Sequence, residues 1–118
     1  MTPESTLGFT PLAGFKVLDL SQGVAGPYCA QLLAHQGAEV VKVEPMPAGE
    51  MARQWGPFDD DISVYYLSAN RSKQGIGVDF RKPEGLALLR RMALASDIVV
   101  EASSHFQGKP NSNAILCF

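Results

Sequence analysis

Cysteine, net positive charge and long apolar runs are all scarce in this 118-residue chain. Its two cysteines are Cys29, in an apolar helical run, and Cys117, almost at the end. Two unmatched thiols make neither a disulfide framework nor a metal site, and a reducing cytoplasm is the expected setting. Lys and Arg total 10 against 12 Asp and Glu, a net charge of −2. That excludes the basic face that nucleic acid or an anionic membrane surface would need. No apolar run approaches the ~18 residues that span a bilayer. Residues 1–10, read as a leader, lack the basic start and apolar core of a signal peptide. Metal chemistry is equally thin. Asp59, Asp60 and Asp61 are adjacent, without the ligand alternation of a calcium loop. His35 and His105 have no carboxylate or serine at useful spacing.

What is present is an alternation of short apolar runs and helical patterns. Residues 16–20 form a β-branched run that predicts a buried parallel strand. A small-residue turn follows at 21–26, and Pro27 suits the first turn of a helix through residue 36. Cys29, Leu32 and Leu33 share one face of that helix, and Gly37 suits the position just past its end. Residues 39–44 predict a second strand, completing a β-turn-α-β unit of the usual crossover size. Residues 45–62 hold Pro45, Pro47, Pro57 and the three adjacent acids, and are expected to be a long loop. A helical turn or two is expected over 63–70. A glycine-weakened third strand follows at 74–79, then a helix after Pro83 with Leu86, Leu89, Met92 and Ala93 inward, then a fourth strand at 97–101. From Ala102 onward the sequence shows no period of either kind. The fold class is α/β, a Rossmann-like parallel sheet with flanking helices.

An open α/β sheet binds ligands at the carboxyl ends of its strands. The turn at 21–26 is the first such place, where small residues admit a ligand to the backbone and the next helix offers N–H groups to an anion. A tight turn that merely needs glycine explains the same residues. Gly23-x-x-Gly26 is not the G-x-G-x-x-G fingerprint, and no phosphate loop of the G-x-x-x-x-G-K-[ST] kind is present. Glu44, at the end of the second strand, keeps a nicotinamide-binding reading open. Arg71, Lys73, Arg81 and Lys82 could meet phosphate or could be solvated turn charges. Trp55 is a loop anchor or a stacking platform.

Taken in order, these pieces resemble a known family. Pro11-Leu-Ala-Gly-Phe-Lys-Val-Leu-Asp-Leu-Ser21, Ala25-Gly-Pro27, Gly37-Ala-Glu-Val-Val-Lys-Val-Glu44, Gly49-Glu50, Arg53, Trp55-Gly-Pro57, Asn70-Arg-Ser-Lys73, Val78-Asp79, Pro83-Glu-Gly85 and Ser96-Asp-Ile-Val-Val-Glu101 follow one another as in family III CoA-transferases of the CaiB–BaiF type. The likeness covers residues 11–101, the N-terminal part of that family's large domain. It implies transfer of CoA from an acyl-CoA thioester to a carboxylic acid through a carboxylate nucleophile. It also implies a Rossmann-like domain in an interlocked homodimer, with coenzyme A or acyl-CoA as substrate and no tightly bound cofactor. CoA contacts carry over to Val24 and Ala25 in the first turn and to Val78, Asp79, Phe80 and Arg81 after the third strand. Gln22 and Gly23 lie in the turn that faces the active site in relatives. An arginine that some members have after the second strand is Pro45 here.

The likeness stops after Glu101, and residues 102–118 are an unmatched tail. The expectation is therefore a fold incomplete relative to the family's, without the catalytic aspartate and inactive alone, the product of a frameshifted or incomplete gene. No catalytic residue and no metal ligand is assigned. A non-catalytic CoA-ester-binding module, the family's acyl-CoA racemase branch and a nicotinamide-binding oxidoreductase fragment stay open as alternatives.

Overall fold

The structure, a computed structural model, describes residues 10–101 and the strand at 114–117. Most of the expected leader and most of the expected tail, His105 included, lie outside the described residues. In chain order the elements are β1 (Lys16–Asp19), α1 (Ala25–His35), β2 (Glu39–Pro45), a 3-10 turn (Met51–Gln54), β3 (Phe58–Asp59), β4 (Ile62–Ser63), α2 (Val64–Ala69), β5 (Gln74–Val78), α3 (Pro83–Leu94), β6 (Ile98–Glu101) and β7 (Ala114–Cys117).

Five strands form one parallel sheet in the order β5-β2-β1-β6-β7. The chain builds outward from β1 through β2 to β5, then returns across β1 to place β6. Such a reversal opens a crevice at the carboxyl ends of the strands beside it. The turn after β1 lies at that point. One strand was not foreseen. Residues 114–117, read as part of an aperiodic tail, pair with β6 from Ile98↔Ala114 to Glu101↔Cys117. A four-residue apolar run is too short to display a period.

Strands covered on both faces need apolar side chains on both, and β1 supplies them in alternation. Leu18 joins Val43, Val78 and Val99 beneath Leu89 and Ala93 of α3. Val17 joins Val40, Ala38 and Val100 beneath Ala30 of α1 on the opposite face. Each such burial contributes about 1.5–3 kcal/mol for a full Val or Leu side chain. In α3 the expected inward face holds at Leu89, Met92 and Ala93, while Leu86 stays 44% exposed. In α1 the expected face is rotated. Gly26, Pro27, Ala30 and Gln31 are buried, Leu33 and Cys29 are half-buried, and Leu32 points outward. The inward stripe holds glycine, proline, alanine and a polar glutamine rather than large apolar side chains, so a search for the latter passes over it.

The expected loop over 45–62 has structure of its own. After the 3-10 turn, β3 and β4 form a hairpin in the register Phe58↔Ser63 and Asp59↔Ile62. Its two-residue turn is Asp60 and Asp61, both at positive φ (52° and 64°), as a type I′ turn requires. That accounts for the acidic cluster without a metal, and no metal-ligating cluster exists among the described residues. Ser63 then caps α2, its Oγ accepting the Tyr66 N–H at 3.1 Å. No helix among the described residues is long and apolar enough to cross a membrane.

Candidate functional site

Beneath the turn that follows β1 lies buried charge. Asp19, the last residue of β1, is fully buried. Its Oδ1 accepts the Ser21 N–H at 2.9 Å and the Ser21 hydroxyl; its Oδ2 accepts Lys73 Nζ at 2.7 Å, with Lys42 Nζ at 3.7 Å. Lys42 donates to the Ser21 carbonyl (3.1 Å) and to Glu50 Oε1 (3.4 Å). Lys73 also donates to the Pro27 carbonyl (2.8 Å) and to Asn70 Oδ1 (2.7 Å). Glu50 accepts the Gly23 N–H at 3.1 Å on Oε1 and the Ala52 N–H on Oε2. Two ammonium groups and two carboxylates thus balance one another, each side chain at most 2% exposed. Burying such a set is costly unless every donor and acceptor is matched. Among the described residues, no buried side-chain nitrogen or oxygen lacks a partner. Burial pushes the Lys73 ammonium down, against the pull of Asp19.

The turn itself is open and small. Gly23 holds φ at +86°, which favours glycine, and a Cβ there would stand 3.6 Å from the Trp55 ring. Gln22 Oε1 accepts the Met51 N–H at 3.0 Å. Val24 and Ala25 lie exposed where α1 begins. No side chain caps α1 and no acid lies in its first turn, whose Gly26 and Pro27 are buried.

A second cluster sits at the end of β2. Glu44 Oε1 accepts Arg53 Nε (2.6 Å) and the Glu50 N–H (2.7 Å). Its Oε2 accepts Arg53 Nη2 (2.7 Å) and the Tyr66 hydroxyl (3.1 Å). Burial alone would raise the Glu44 carboxyl; the Arg53 and backbone hydrogen bonds prevail and hold it at about 2. The same contact with Glu44 raises Arg53, while burial, then the charge of Glu44, pushes Tyr66 up to about 12. Arg53 also lies 4.0 Å from the Tyr66 ring centre. With all of these donors on it, Glu44 offers no free oxygen pair to a ribose, which removes the feature that kept a nicotinamide reading open.

The other set of sequence-assigned residues follows β5. Val78 is buried, Asp79 and Phe80 are half-buried and Arg81 is exposed. Arg81 donates to the Asp79 carboxylate through its backbone N–H (3.0 Å), Nε (3.0 Å) and Nη2 (3.1 Å), and these bonds hold Asp79 at about 2. At Gly85 a Cβ would stand 2.0 Å from the Asp79 carbonyl oxygen, so only glycine lets α3 start this close to the strand end.

The two sets share the carboxyl edge of the sheet but leave it toward different faces. Val24 and Ala25 enter α1; residues 78–81 lead to α3. The end of β2 lies between them, two strand spacings or about 9–10 Å in all. Residues 46–52 bridge the interval. Met46 N–H donates to the Val78 carbonyl at 2.9 Å, and Glu50 and Met51 reach Gly23 and Gln22. Of the other candidates, Lys73 is no surface cation, since it is spent on Asp19, whereas Arg71 is exposed and its N–H donates to Gln31 Oε1 at 2.7 Å. Trp55 anchors the bridging loop edge-on against Tyr65, ring centres 5.2 Å apart. His35 is exposed at the end of α1. Lys42, Glu50 and Arg53 fall within the residues that carry the family resemblance, but sequence reasoning gave them no role and missed the grouping of Glu44, Arg53 and Tyr66. One signal was available: a strand covered on both faces should be nearly all apolar, yet β2 carries charge at 42 and 44.

Comparison with known proteins follows this geometry. Residues 12–107 match CoA-transferase family III. A human succinyl-CoA:glutarate CoA-transferase is 43% identical over 101 residues, covering 84% of this chain and 23% of the relative. A succinate–glutarate CoA-transferase of Agrobacterium fabrum is 40% identical over 98 residues, 77% of this chain and 24% of the relative. Among solved structures, a CaiB/BaiF family protein from Brucella suis aligns with a TM-score of 0.74 at 40% identity, over 81% of this chain and 26% of that one. The chain spans about a quarter of the length of these relatives.

Proposed function

Because the chain belongs to CoA-transferase family III, we propose that it carries part of the surface on which an acyl-CoA lies while CoA passes to a carboxylic acid. Val24 and Ala25 meet one stretch of the CoA, and Val78, Asp79, Phe80 and Arg81 meet another. The observation that carries this reading is the turn at 20–24. It stands at the sheet's reversal point, where Asp19, Lys42 and Glu50 hold its backbone at Ser21 and Gly23. Lys82, exposed beyond β5, supplies positive charge for phosphate, and Arg81 beside it is exposed though paired with Asp79.

The covalent step is assigned elsewhere in the enzyme. Asp19, Glu44 and Glu50 lie by the turn and each already holds several donors, while Glu101, at the end of the strand beside β1, is buried. None is placed to attack a thioester carbonyl, which requires an accessible carboxylate. The chain alone therefore binds CoA without transferring it.

Calorimetric titration with CoA and, separately, with NADH tests the reading. CoA is expected to bind and NADH to give no heat beyond dilution. Equal binding of both, or binding of NADH alone, sinks it. A transfer assay with succinyl-CoA and glutarate, the pair in the relatives' names, is expected to show no turnover by this chain.

A further inference from the structure

We propose that Glu50 is a positioning residue that sets the shape of the CoA-binding turn, with Gln22 as its second tie. The inference rests on the reading that this turn binds CoA. Glu50 is 1% exposed and reaches Gly23 from 27 positions away in sequence. One residue along, the direction of donation reverses: Gly23 N–H donates to Glu50 Oε1, whereas Met51 N–H donates to Gln22 Oε1. These two bonds make a two-rung clamp between the turn and the start of the 3-10 turn. Glu50 is itself held from the end of β2, where its N–H donates to Glu44 Oε1 at 2.7 Å.

The clamp matters because of what it holds. Glycine has the widest choice of backbone conformations, so a Gly23 fixed at φ +86° must be fixed by its surroundings. Glu50 does so by taking the Gly23 N–H, which turns that group inward and leaves the turn's outer surface to Val24 and Ala25. A turn already in its bound shape binds more tightly, because the ordering cost is met before the ligand arrives. Residues 46–52 also bond to Val78, so the same segment sets the spacing between the two CoA-contacting stretches.

The test is titration of the 118-residue chain with CoA alongside thermal melting. Glu50→Gln keeps the side-chain size but turns one acceptor oxygen into a donor facing an N–H. About tenfold weaker CoA binding is expected, the loss of one charged hydrogen bond's worth of affinity. Val40→Ala removes core volume from the cluster that contains none of the CoA-contacting residues; it is expected to lower the melting midpoint and leave CoA affinity unchanged. A merely structural Glu50 would behave like Val40→Ala, and that result overturns the proposal. Should Glu50→Gln fail to fold, Gln22 decides, being half-exposed and uncharged. Gln22→Leu is expected to weaken CoA binding about threefold and Gln22→Glu, which keeps an acceptor, to restore it to within about twofold. Equal affinity in both overturns the clamp. If the unsubstituted chain binds no CoA, the binding reading itself falls and takes this inference with it, an outcome distinct from selective indifference of the variants.

Discussion

The carboxyl end of β1 and β2 hides charge, and the outer side of α3 displays oil. Asp19, Lys42, Glu50 and Lys73 have side chains at most 2% exposed, whereas Leu86, Leu88 and Leu94 are 44%, 37% and 64% exposed. This inverts the usual arrangement. Buried ions seldom add net stability, but they punish any departure from one geometry, because a partner left alone is a bare charge in a dry interior. The charge cluster is therefore a device for shape, placed where the backbone must present a fixed turn. Among the described residues, the exposed leucines lie outside the buried core clusters, and Leu89 and Ala93 on the inward side of α3 lie within one.

Breaking the charged end should cost most. Asp19→Ala leaves two ammonium groups without their shared carboxylate, and urea unfolding is expected to show a loss of about 3–5 kcal/mol. A loss under about 1 kcal/mol would mean that water reaches Lys42 and Lys73, and the contrast between the two regions would dissolve. The inward side of α3 should rank second. Leu89→Ala is expected to cost about 2–3 kcal/mol in the same measurement, since a neighbourhood of Val and Ala collapses only partly into the space left.

How far the sequence announces these features depends on range. The strands at 16–20, 39–44, 74–79 and 97–101 are legible because short apolar runs between turn residues act locally, and α3 because its stripe is made of leucine. The inward side of α1 is not, since it holds glycine, proline, alanine and a polar glutamine rather than large apolar side chains. The charge cluster is legible only in part. Lys42 and Glu44 stand out in a strand covered on both faces. That Lys42 meets Glu50, and Lys73 meets Asp19 from 54 positions away, is a property of the folded chain. For the candidate site, family resemblance names Val24, Ala25 and residues 78–81 as contacts; it matches Glu50 and Arg53 in the loop that joins them but gives them no role.

The acid response should separate the two regions next. Glu44 in the folded chain sits at about 2, below its ordinary 4.5. A depressed carboxyl contributes stability above its unfolded value and loses it as pH falls through the folded one. Stability is thus expected to decline between about pH 4.5 and 2, and Glu44→Gln to flatten that decline. Asp79 shares the window, but it is an exposed pair with Arg81 and solvent screens it, so the parent-minus-variant difference is the quantity to read. An identical pH profile for both chains would place the acid-sensitive group outside the end of β2.

The smallest effect on stability should come with the largest effect on behaviour. Leu88 and Leu94 line a hollow with Arg91, Met92 and Ala95 on the outside of α3. Apolar surface gathered in this way drives self-association. Lysine forms helix nearly as well as leucine, so Leu88→Lys with Leu94→Lys is expected to shift unfolding by no more than about 0.5 kcal/mol. Sedimentation velocity should nevertheless show less oligomer, because two ammonium groups cannot be buried against a second apolar face without loss of hydration. If association persists undiminished, the contact lies instead at β5, the outer strand on its side of the sheet among the described residues, where Gln74, Gly75, Ile76 and Gly77 are exposed and an edge can recruit another strand. A proline at Gly75 would then abolish it, and the contrast would be between buried charge and a bare strand edge rather than between buried charge and exposed leucine.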